Sequence, residues 1–245
     1  MVSNRVDPVA VVSPDPARPI VAADLEGTCT TGETWRGLGR YLAGHGRGRD
    51  YRLFLVPRLA SLPLVRLGLV DKQAFRNRWV RDLARLLAGE DEHTLGRIAA
   101  WVVDHELWPQ RRAEVVAELA AATAEGARLA LASGTYQPVL EAFAERLAAE
   151  IGVDRIVALG TPLEMRNGRA TGRLAAPIGT GPRKARRVQA LAAGAPVVAA
   201  YGDSEADLPL LEIAGEAVAV VPDPGLARVA RVRGWRILPP VEAAG

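Results

Sequence analysis

The sequence predicts an α/β protein in which a parallel β-sheet core is interrupted, after its first strand, by an inserted α-helical cap. In the second half of the chain, short apolar runs alternate with segments whose apolar residues recur every three or four positions. This alternation of strands and helices is typical of a parallel sheet covered on both faces. About 100 residues separate the first apolar run from the second, whereas a βα loop usually has roughly 2–6. Because those residues read almost entirely as helix, we expect them to form the cap.

The predicted strands are short and continuously apolar, as strands buried on both faces are. The first ends in Asp24, which Gly27 follows in a loop. Ligands of such sheets bind outside the carboxyl ends of the strands. Strands are predicted at 19–24, 127–132, 155–159, 195–201, 217–221 and 235–238, and helices between them at 136–151, 182–193, 207–214 and 225–232.

The long insertion contains four helical patterns, and the last of them leads back to the core. We therefore expect the chain to divide into a core made of 19–32 and 108–238 and a helical cap at 33–107. Proline-rich or polar ends without periodicity predict a flexible tail at 1–18 and a short tail at 239–245. The four helices are predicted at 33–43, 71–87, 92–103 and 109–123.

Composition excludes several classes of protein. Hydrophobic residues make up 49% of the chain and charged residues 24%, as in ordinary globular proteins. The net charge is only +3, and most basic residues are scattered instead of forming a single Lys/Arg block, which argues against nucleic acid as a partner. A single cysteine, Cys29, excludes an internal disulfide and predicts a reducing, cytoplasmic location. No apolar run reaches the 18 residues of a transmembrane segment, and no secretory signal is expected.

The segment Asp24-Leu25-Glu26-Gly27-Thr28 follows the first strand and carries two carboxylates two residues apart. Residues at this spacing in an extended chain face the same side. One carboxylate of such a pair can attack as a nucleophile while the other protonates a leaving group and then deprotonates water. Taken alone, the segment also fits a turn with two solvated acids.

Ser133-Gly134 follows the second strand and precedes a helix, where a hydroxyl and backbone N–H groups can bind a phosphate. An N-cap is the alternative for this pair alone. Lys184, near the start of the helix at 182–193, can neutralise a nucleophile and a phosphate oxygen together, unless it is a solvated surface lysine.

Asp203 and Asp207 come after the fourth strand. Together with Asp24 they would form a site of hard oxygen donors suited to Mg²⁺, which needs only one or two protein carboxylates and keeps several waters. On its own, Asp207 also fits a charge at a helix N-terminus.

Taken in order, these four motifs resemble those of the haloacid dehalogenase superfamily, and the helical insertion after the first motif is similar to the cap of its phosphoserine phosphatase-like branch. The resemblance implies a Rossmann-like core and an Mg²⁺-dependent phosphatase that works through an aspartyl-phosphate. It assigns Asp24 as nucleophile, Glu26 as general acid and base, and Lys184 as charge clamp. Phosphate would be bound by Ser133 and Gly134, and Mg²⁺ by Asp24, Asp203 and the backbone carbonyl of Glu26, with Asp207 supporting the site.

Two residues depart from the family pattern: Glu26 stands where an aspartate is usual, and Ala206 stands where phosphoserine phosphatases place asparagine. Phosphoserine is therefore a less expected substrate. Glu33, nine residues after Asp24, matches a substrate-facing glutamate of those enzymes, or it simply starts a helix. A phosphotransferase or phosphomutase, and a catalytically weak phosphate-binding protein, remain alternative interpretations.

The cap is strongly basic, with twelve Lys and Arg against four acids in residues 33–85. This excess favours a small anionic phosphate ester as substrate, although a solvated face is the common alternative. Residues 53–70 are apolar but interrupted by Pro57 and Pro63. We interpret them as a loop that packs in the cap, with an acyl chain, a peripheral membrane contact or a dimer interface as alternatives, so that monomer and homodimer both fit. Trp79 is interpreted as structural.

Overall fold

The computed structural model describes residues 18–66 and 72–240 of the chain. The expected tail at 1–18 therefore lies outside the described residues except for Arg18, as do residues 67–71 and 241–245. The strands are β1 (Ile20–Ala23), β2 (Arg128–Tyr136), β3 (Val157–Thr161), β4 (Leu163–Arg166), β5 (Arg169–Leu174), β6 (Val197–Gly202), β7 (Glu216–Val220) and β8 (Arg236–Leu238). The helices are α1 (Thr34–Gly44), α2 (Gly48–Arg66), α3 (Lys72–Ala84), α4 (Glu92–Val102), α5 (Ala113–Ala124), α6 (Gln137–Ile151), α7 (Pro182–Ala192), α8 (Leu208–Leu211) and α9 (Pro224–Arg233).

Within the described residues, six strands form one parallel sheet in the order β3-β2-β1-β6-β7-β8, which confirms the predicted α/β core. β1 lies in the middle and pairs with β2 and β6. Its alternate residues face opposite sides, since Val21 belongs to one apolar cluster and Ile20 to the other. Both faces of the sheet are thus buried, and the carboxyl ends of β1, β2 and β6 meet at one edge.

The inserted helices α1 to α4 lie between β1 and β2, and a π-helical turn at Val103–Leu107 follows α4. Trp108 is buried against Phe143 of α6, with ring centroids 5.5 Å apart. A hairpin of β4 and β5 joins the insertion to the core, because the backbone N–H of Gly89 donates to the carbonyl of Ala170 at 2.8 Å. The division at 33–107 stays a prediction.

The expectation of a loop across the apolar segment at 53–70 is wrong over the residues that the structure describes. α2 runs from Gly48 to Arg66 through both Pro57 and Pro63. A proline inside a helix removes one backbone hydrogen bond. One residue further on, the guanidinium of Arg58 donates to the carbonyl of Phe54, and the Phe54 side chain is buried in the core. Tertiary packing therefore outweighs the local cost of the prolines.

Several element boundaries also differ from the predicted ones. β2 continues through Ser133 to Tyr136 instead of ending at 132, so that the phosphate-binding candidates lie within the strand end. The predicted helix at 207–214 is a short 3-10 turn followed by the four residues of α8. None of the helices in the described ranges has both the length and the hydropathy that crossing a bilayer requires.

Candidate active site

A cavity of about 590 Å³ opens at the carboxyl edge of the sheet. Asp24 follows β1, Ser133 lies near the end of β2 and Asp203 follows β6, so three neighbouring strands each bring one candidate to this cavity. Lys184 enters it from the first turn of α7. The structure therefore brings together residues that are up to 179 positions apart in the chain.

Lys184 is a buried cation held between two carboxylates. Its side chain is 4% exposed, and its Nζ donates to Asp24 Oδ1 at 2.6 Å and to Asp207 Oδ1 at 2.5 Å. Burial alone lowers the pKa of Lys184, but the charges of Asp207 and Asp24 outweigh it and hold that pKa above its usual range. The alternative of a solvated surface lysine is thus wrong.

Asp207 is surrounded by donors. Besides Lys184 on Oδ1, its Oδ2 accepts the Ser204 hydroxyl at 3.0 Å, the Ser204 backbone N–H at 3.2 Å and the Asp203 backbone N–H at 3.3 Å. Burial raises the pKa of Asp207, but the charge and hydrogen bond of Lys184 outweigh this effect and keep the pKa below its ordinary value. With both oxygens occupied, Asp207 anchors Lys184 and the loop that follows β6.

Asp24 and Asp203 are two further acids that lie close to Asp207. Burial raises the pKa of Asp24 from 3.8 to about 6, although Lys184 opposes the shift. Burial, and then the charges of Asp24 and Asp207, raise the pKa of Asp203 to about 8. The ligand oxygens of these three aspartates lie within 4.8 Å of one another. A further cation would relieve this repulsion.

The chemistry of the donors fits a hard cation such as Mg²⁺. Within the described residues, the carbonyl oxygen of Glu26 accepts no backbone hydrogen bond, and it lies in the same loop as Asp24. Gly27 has a φ of +93°, and a Cβ there would come within 2.2 Å of Asp203 Oδ2. This glycine therefore lets the backbone of the first motif approach the Asp203 carboxylate. The carboxylates of the three aspartates converge as a magnesium site requires.

The side chain of Glu26 points to the start of the cap. Its Oε1 accepts the backbone N–H of Thr34, the first residue of α1, at 2.6 Å. A carboxylate at a helix N-terminus interacts favourably with the helix dipole. The extra methylene of glutamate thus lets this residue reach α1 while it still lines the cavity.

Ser133 and Gly134 also line the cavity. Ser133 is 3% exposed, and its Oγ accepts the backbone N–H of Thr135 at 3.4 Å. The Thr161 hydroxyl donates to the carbonyl of Gly134 at 2.9 Å, and a Cβ on Gly134 would meet Thr180 at 2.8 Å. The backbone here is held in one place, as a phosphate-binding segment needs to be.

Glu33 lines the cavity, but its carboxylate already has protein partners. It accepts the indole N–H of Trp35, and it lies 3.9 Å from the guanidinium of Arg36. Burial raises the pKa of Glu33 above its ordinary value.

Some cavity residues were missed by sequence reasoning. Arg112 donates from Nε to the carbonyl of Gly27 at 3.1 Å and so supports the first motif. Thr34 and Thr135 join α1 to β2 through their hydroxyls at 2.8 Å. Nothing local in the sequence signals these long-range contacts. Trp79 also lines the cavity, so its structural interpretation is incomplete.

Two of the basic residues in the cap pair with acids from outside the basic stretch. Arg40 pairs with Glu106 at 2.9 Å and Arg47 pairs with Glu90 at 2.9 Å, and both acids lie beyond the basic stretch at 33–85. Arg76 is the cap arginine that lines the cavity among the described residues.

Comparisons with known proteins agree with this architecture. The family model described as haloacid dehalogenase-like hydrolase matches residues 21–212. A phosphoserine phosphatase of Mycobacterium tuberculosis is 44% identical over 84 residues, which cover 33% of this chain and 27% of that protein. A probable phosphatase of the same organism is 30% identical over 200 residues, which cover 73% of this chain and 68% of that protein. The first of these matches therefore spans about a quarter of the relative's length.

Solved structures show the same fold. A protein of unknown function from Bordetella pertussis superposes with a TM-score of 0.73 at 24% identity, over 91% of this chain and 98% of that chain. A probable phosphoserine phosphatase from Vibrio cholerae gives a TM-score of 0.57 at 21% identity, over 88% and 60% of the two chains. With a family model that spans most of its length, this chain belongs to the haloacid dehalogenase-like hydrolase family and has the fold of the phosphoserine phosphatase-like branch.

Proposed function

We propose that this protein is a Mg²⁺-dependent phosphatase that hydrolyses a small phosphate monoester through an aspartyl-phosphate on Asp24. The observation that carries the proposal is the buried contact of Asp24 with Lys184, 2.6 Å apart, beside Asp203 and Ser133 in one cavity. A carboxylate nucleophile, a cation and hydroxyl and amide donors are what phosphoryl transfer requires, because its catalysis is mostly positioning and charge stabilisation.

In the first step, Asp24 attacks the phosphorus of the ester and the bond from phosphorus to the leaving oxygen breaks. Glu26 gives its proton to that oxygen, so that an alcohol leaves. Lys184 stabilises negative charge on Asp24 and on the phosphoryl group, and Ser133 and the Gly134 backbone bind the phosphoryl oxygens. Asp24, Asp203 and the Glu26 carbonyl would hold Mg²⁺, which would supply charge neutralisation.

In the second step, a water attacks the phosphorus of the aspartyl-phosphate. Glu26, now ionised, takes the proton of that water, and phosphate leaves as the Asp24 carboxylate is restored. The hydrogen bond from the Thr34 N–H holds one oxygen of the Glu26 carboxylate in this state, while Glu26 lines the cavity. The reaction therefore returns every group to its starting protonation.

The decisive experiment measures phosphate release from a panel of esters with Mg²⁺ or with chelator. We expect Mg²⁺-dependent release that Asp24→Asn abolishes and that Asp154→Asn, an exposed aspartate outside the cavity, preserves. Acid-quenched wild-type protein should carry a phosphoryl label that hydroxylamine removes, since acyl phosphates react with hydroxylamine. Equal release by wild type and Asp24→Asn would refute the proposal.

Two other interpretations are separated by the same assay. Transfer of the phosphoryl group to an added alcohol in preference to water would identify a phosphotransferase. Tight binding of phosphate esters without turnover would identify a binding protein. The cytoplasmic location and the choice between monomer and homodimer stay predictions.

A further inference from the structure

The cavity has two chemically different sides. The polar side carries the reacting groups, whereas the cap contributes Trp35 from α1, Leu59 from α2, and Phe75 and Trp79 from α3. The volume of about 590 Å³ falls within the roughly 300–1,000 Å³ of sites that enclose drug-sized ligands. The cap side of the cavity is therefore rich in aromatic and aliphatic side chains, which stand beside the polar Glu33, Arg76 and Asn77. The cavity has room for more than a phosphorylated three-carbon unit.

The aromatic rings of this side hold one another in place. Trp35 and Trp79 meet edge to face with centroids 5.4 Å apart, and Phe75 lies 5.7 Å from Trp79 at an angle of 63°. Behind them, Phe54 contacts Trp79 at 5.7 Å. Such ring pairs are favourable beyond the area they bury. The apolar wall is consequently formed before any ligand arrives.

Glu33 is poorly placed to bind an ammonium group. Its carboxylate accepts the indole N–H of Trp35 and faces Arg36. An amino-acid substrate would have to compete for it with the indole donor of Trp35 and the charge of Arg36. The cap side of the cavity thus lacks an uncommitted carboxylate among the residues that the structure describes.

Apolar surface continues outward from the cavity mouth. Leu59, at the edge of the cavity, is 43% exposed, and Val56 and Leu53 precede it on α2 at intervals of three residues with exposures of 63% and 67%. Residues three apart lie on the same side of a helix. A chain that leaves the cavity past Leu59 would follow apolar surface.

We propose that the substrate is a phosphate monoester whose leaving group carries an apolar chain or ring and no ammonium group, with the apolar part against Trp35, Phe75 and Leu59. This inference rests on the proposed phosphatase activity for turnover, but the binding preference it describes can be measured without turnover. An acyl chain and an aromatic ring present the same chemistry to this wall, and the substrates below distinguish them.

The first experiment compares kcat/KM for glycerol 3-phosphate, its 1-hexanoyl ester, phenyl phosphate and phosphoserine, at concentrations below micelle formation and with Mg²⁺. The first pair differs only by the acyl chain. We expect at least about a tenfold preference for the hexanoyl ester over both glycerol 3-phosphate and phosphoserine, since single methylenes in apolar pockets already discriminate by such factors. A larger preference for phenyl phosphate would identify a ring as the natural occupant.

Variants test whether the apolar wall causes the preference for the hexanoyl ester. Leu59→Asn should reduce the ratio of hexanoyl ester to glycerol 3-phosphate by about fivefold or more, whereas Val232→Asn, an 83% exposed valine on α9 outside the cavity, should leave it unchanged. Trp35→Phe keeps a ring but removes the donor to Glu33, and it should raise kcat/KM for phosphoserine. An unchanged ratio in Leu59→Asn would overturn the proposal.

Calorimetric binding of hexylphosphonate and methylphosphonate, which cannot be hydrolysed, separates this inference from the proposed function. At least about tenfold tighter binding of the hexyl compound is expected. Tighter binding without turnover of any ester would refute the phosphatase and leave the apolar site standing. Turnover with equal binding, or with phosphoserine as the preferred substrate, would refute the apolar site and leave the phosphatase standing.

Discussion

Replacing Lys184 by methionine tests whether the buried ion pairs organise the site. Methionine fills a similar volume, but the change removes the donor that contacts Asp24 at 2.6 Å and Asp207 at 2.5 Å. Removing one partner of a buried ion pair costs about 3–5 kcal/mol, because the other charge is left buried without compensation. We expect a loss of this size in the free energy of unfolding at pH 8 without metal.

The loss in free energy of unfolding should become smaller as the pH falls. In the wild type the pKa of Asp24 is about 6 with Lys184 beside it; without that cation it rises further. At pH values between these two pKa values the folded variant therefore binds more protons than the folded wild type. The destabilisation should shrink by about 1.4 kcal/mol for each pH unit over which this difference persists. Added Mg²⁺ should restore part of the stability, since it supplies positive charge beside the same carboxylates.

Urea unfolding at pH 6 and pH 8, with and without Mg²⁺, measures the loss in free energy of unfolding and its dependence on pH and on the metal. Arg186→Met is the matched control, since Arg186 is exposed on the same helix and a surface substitution usually changes stability by less than about 0.5 kcal/mol. A loss for Lys184→Met no larger than that of the control would contradict the ion-pair argument. So would a loss that is larger at pH 6 than at pH 8.

Two further predictions concern the metal site. Gly27→Ala should lower kcat/KM about 100-fold or more by displacing Asp203, because a Cβ would lie 2.2 Å from its Oδ2. Gly126→Ala, with a similar φ of +96° but nothing within 4 Å, should share the backbone strain of about 1 kcal/mol without that clash or that loss of activity. Equal kinetics for the two variants would count against the contact. In the second prediction, the pKa values of Asp24 (about 6) and Asp203 (about 8) exceed the ordinary 3.8. The metal-free folded state therefore binds more protons than the unfolded state, and its stability should fall as pH rises from about 4 to 8. Thermal melts in chelator should show this slope, Mg²⁺ should flatten it, and a slope unaffected by either Mg²⁺ or Asp203→Asn would disprove the assignment.

The sheet and the approximate site could be predicted because their signals are local. An apolar run that ends in Asp24 and another that ends in Gly202-Asp203 are visible without any partner. Since the carboxyl ends of parallel strands share one edge, strand ends far apart in the chain can be placed together. Ser133 can be placed in the same way, because it follows a predicted strand. Lys184 lies near the start of a helix, and the sequence alone does not distinguish a buried lysine from one on the surface.

The course of α2 and the partners of the charged groups in the site depend on long-range contacts. Periodicity reports which residues are apolar, but it does not report that Phe54 is buried deeply enough to keep α2 helical through Pro57. It also gives no sign that Trp35 occupies the carboxylate of Glu33 or that Arg112 supports the carbonyl of Gly27. Motif chemistry therefore follows from residue types at strand ends, whereas the partner of each charge and the character of the leaving-group wall depend on how distant helices pack.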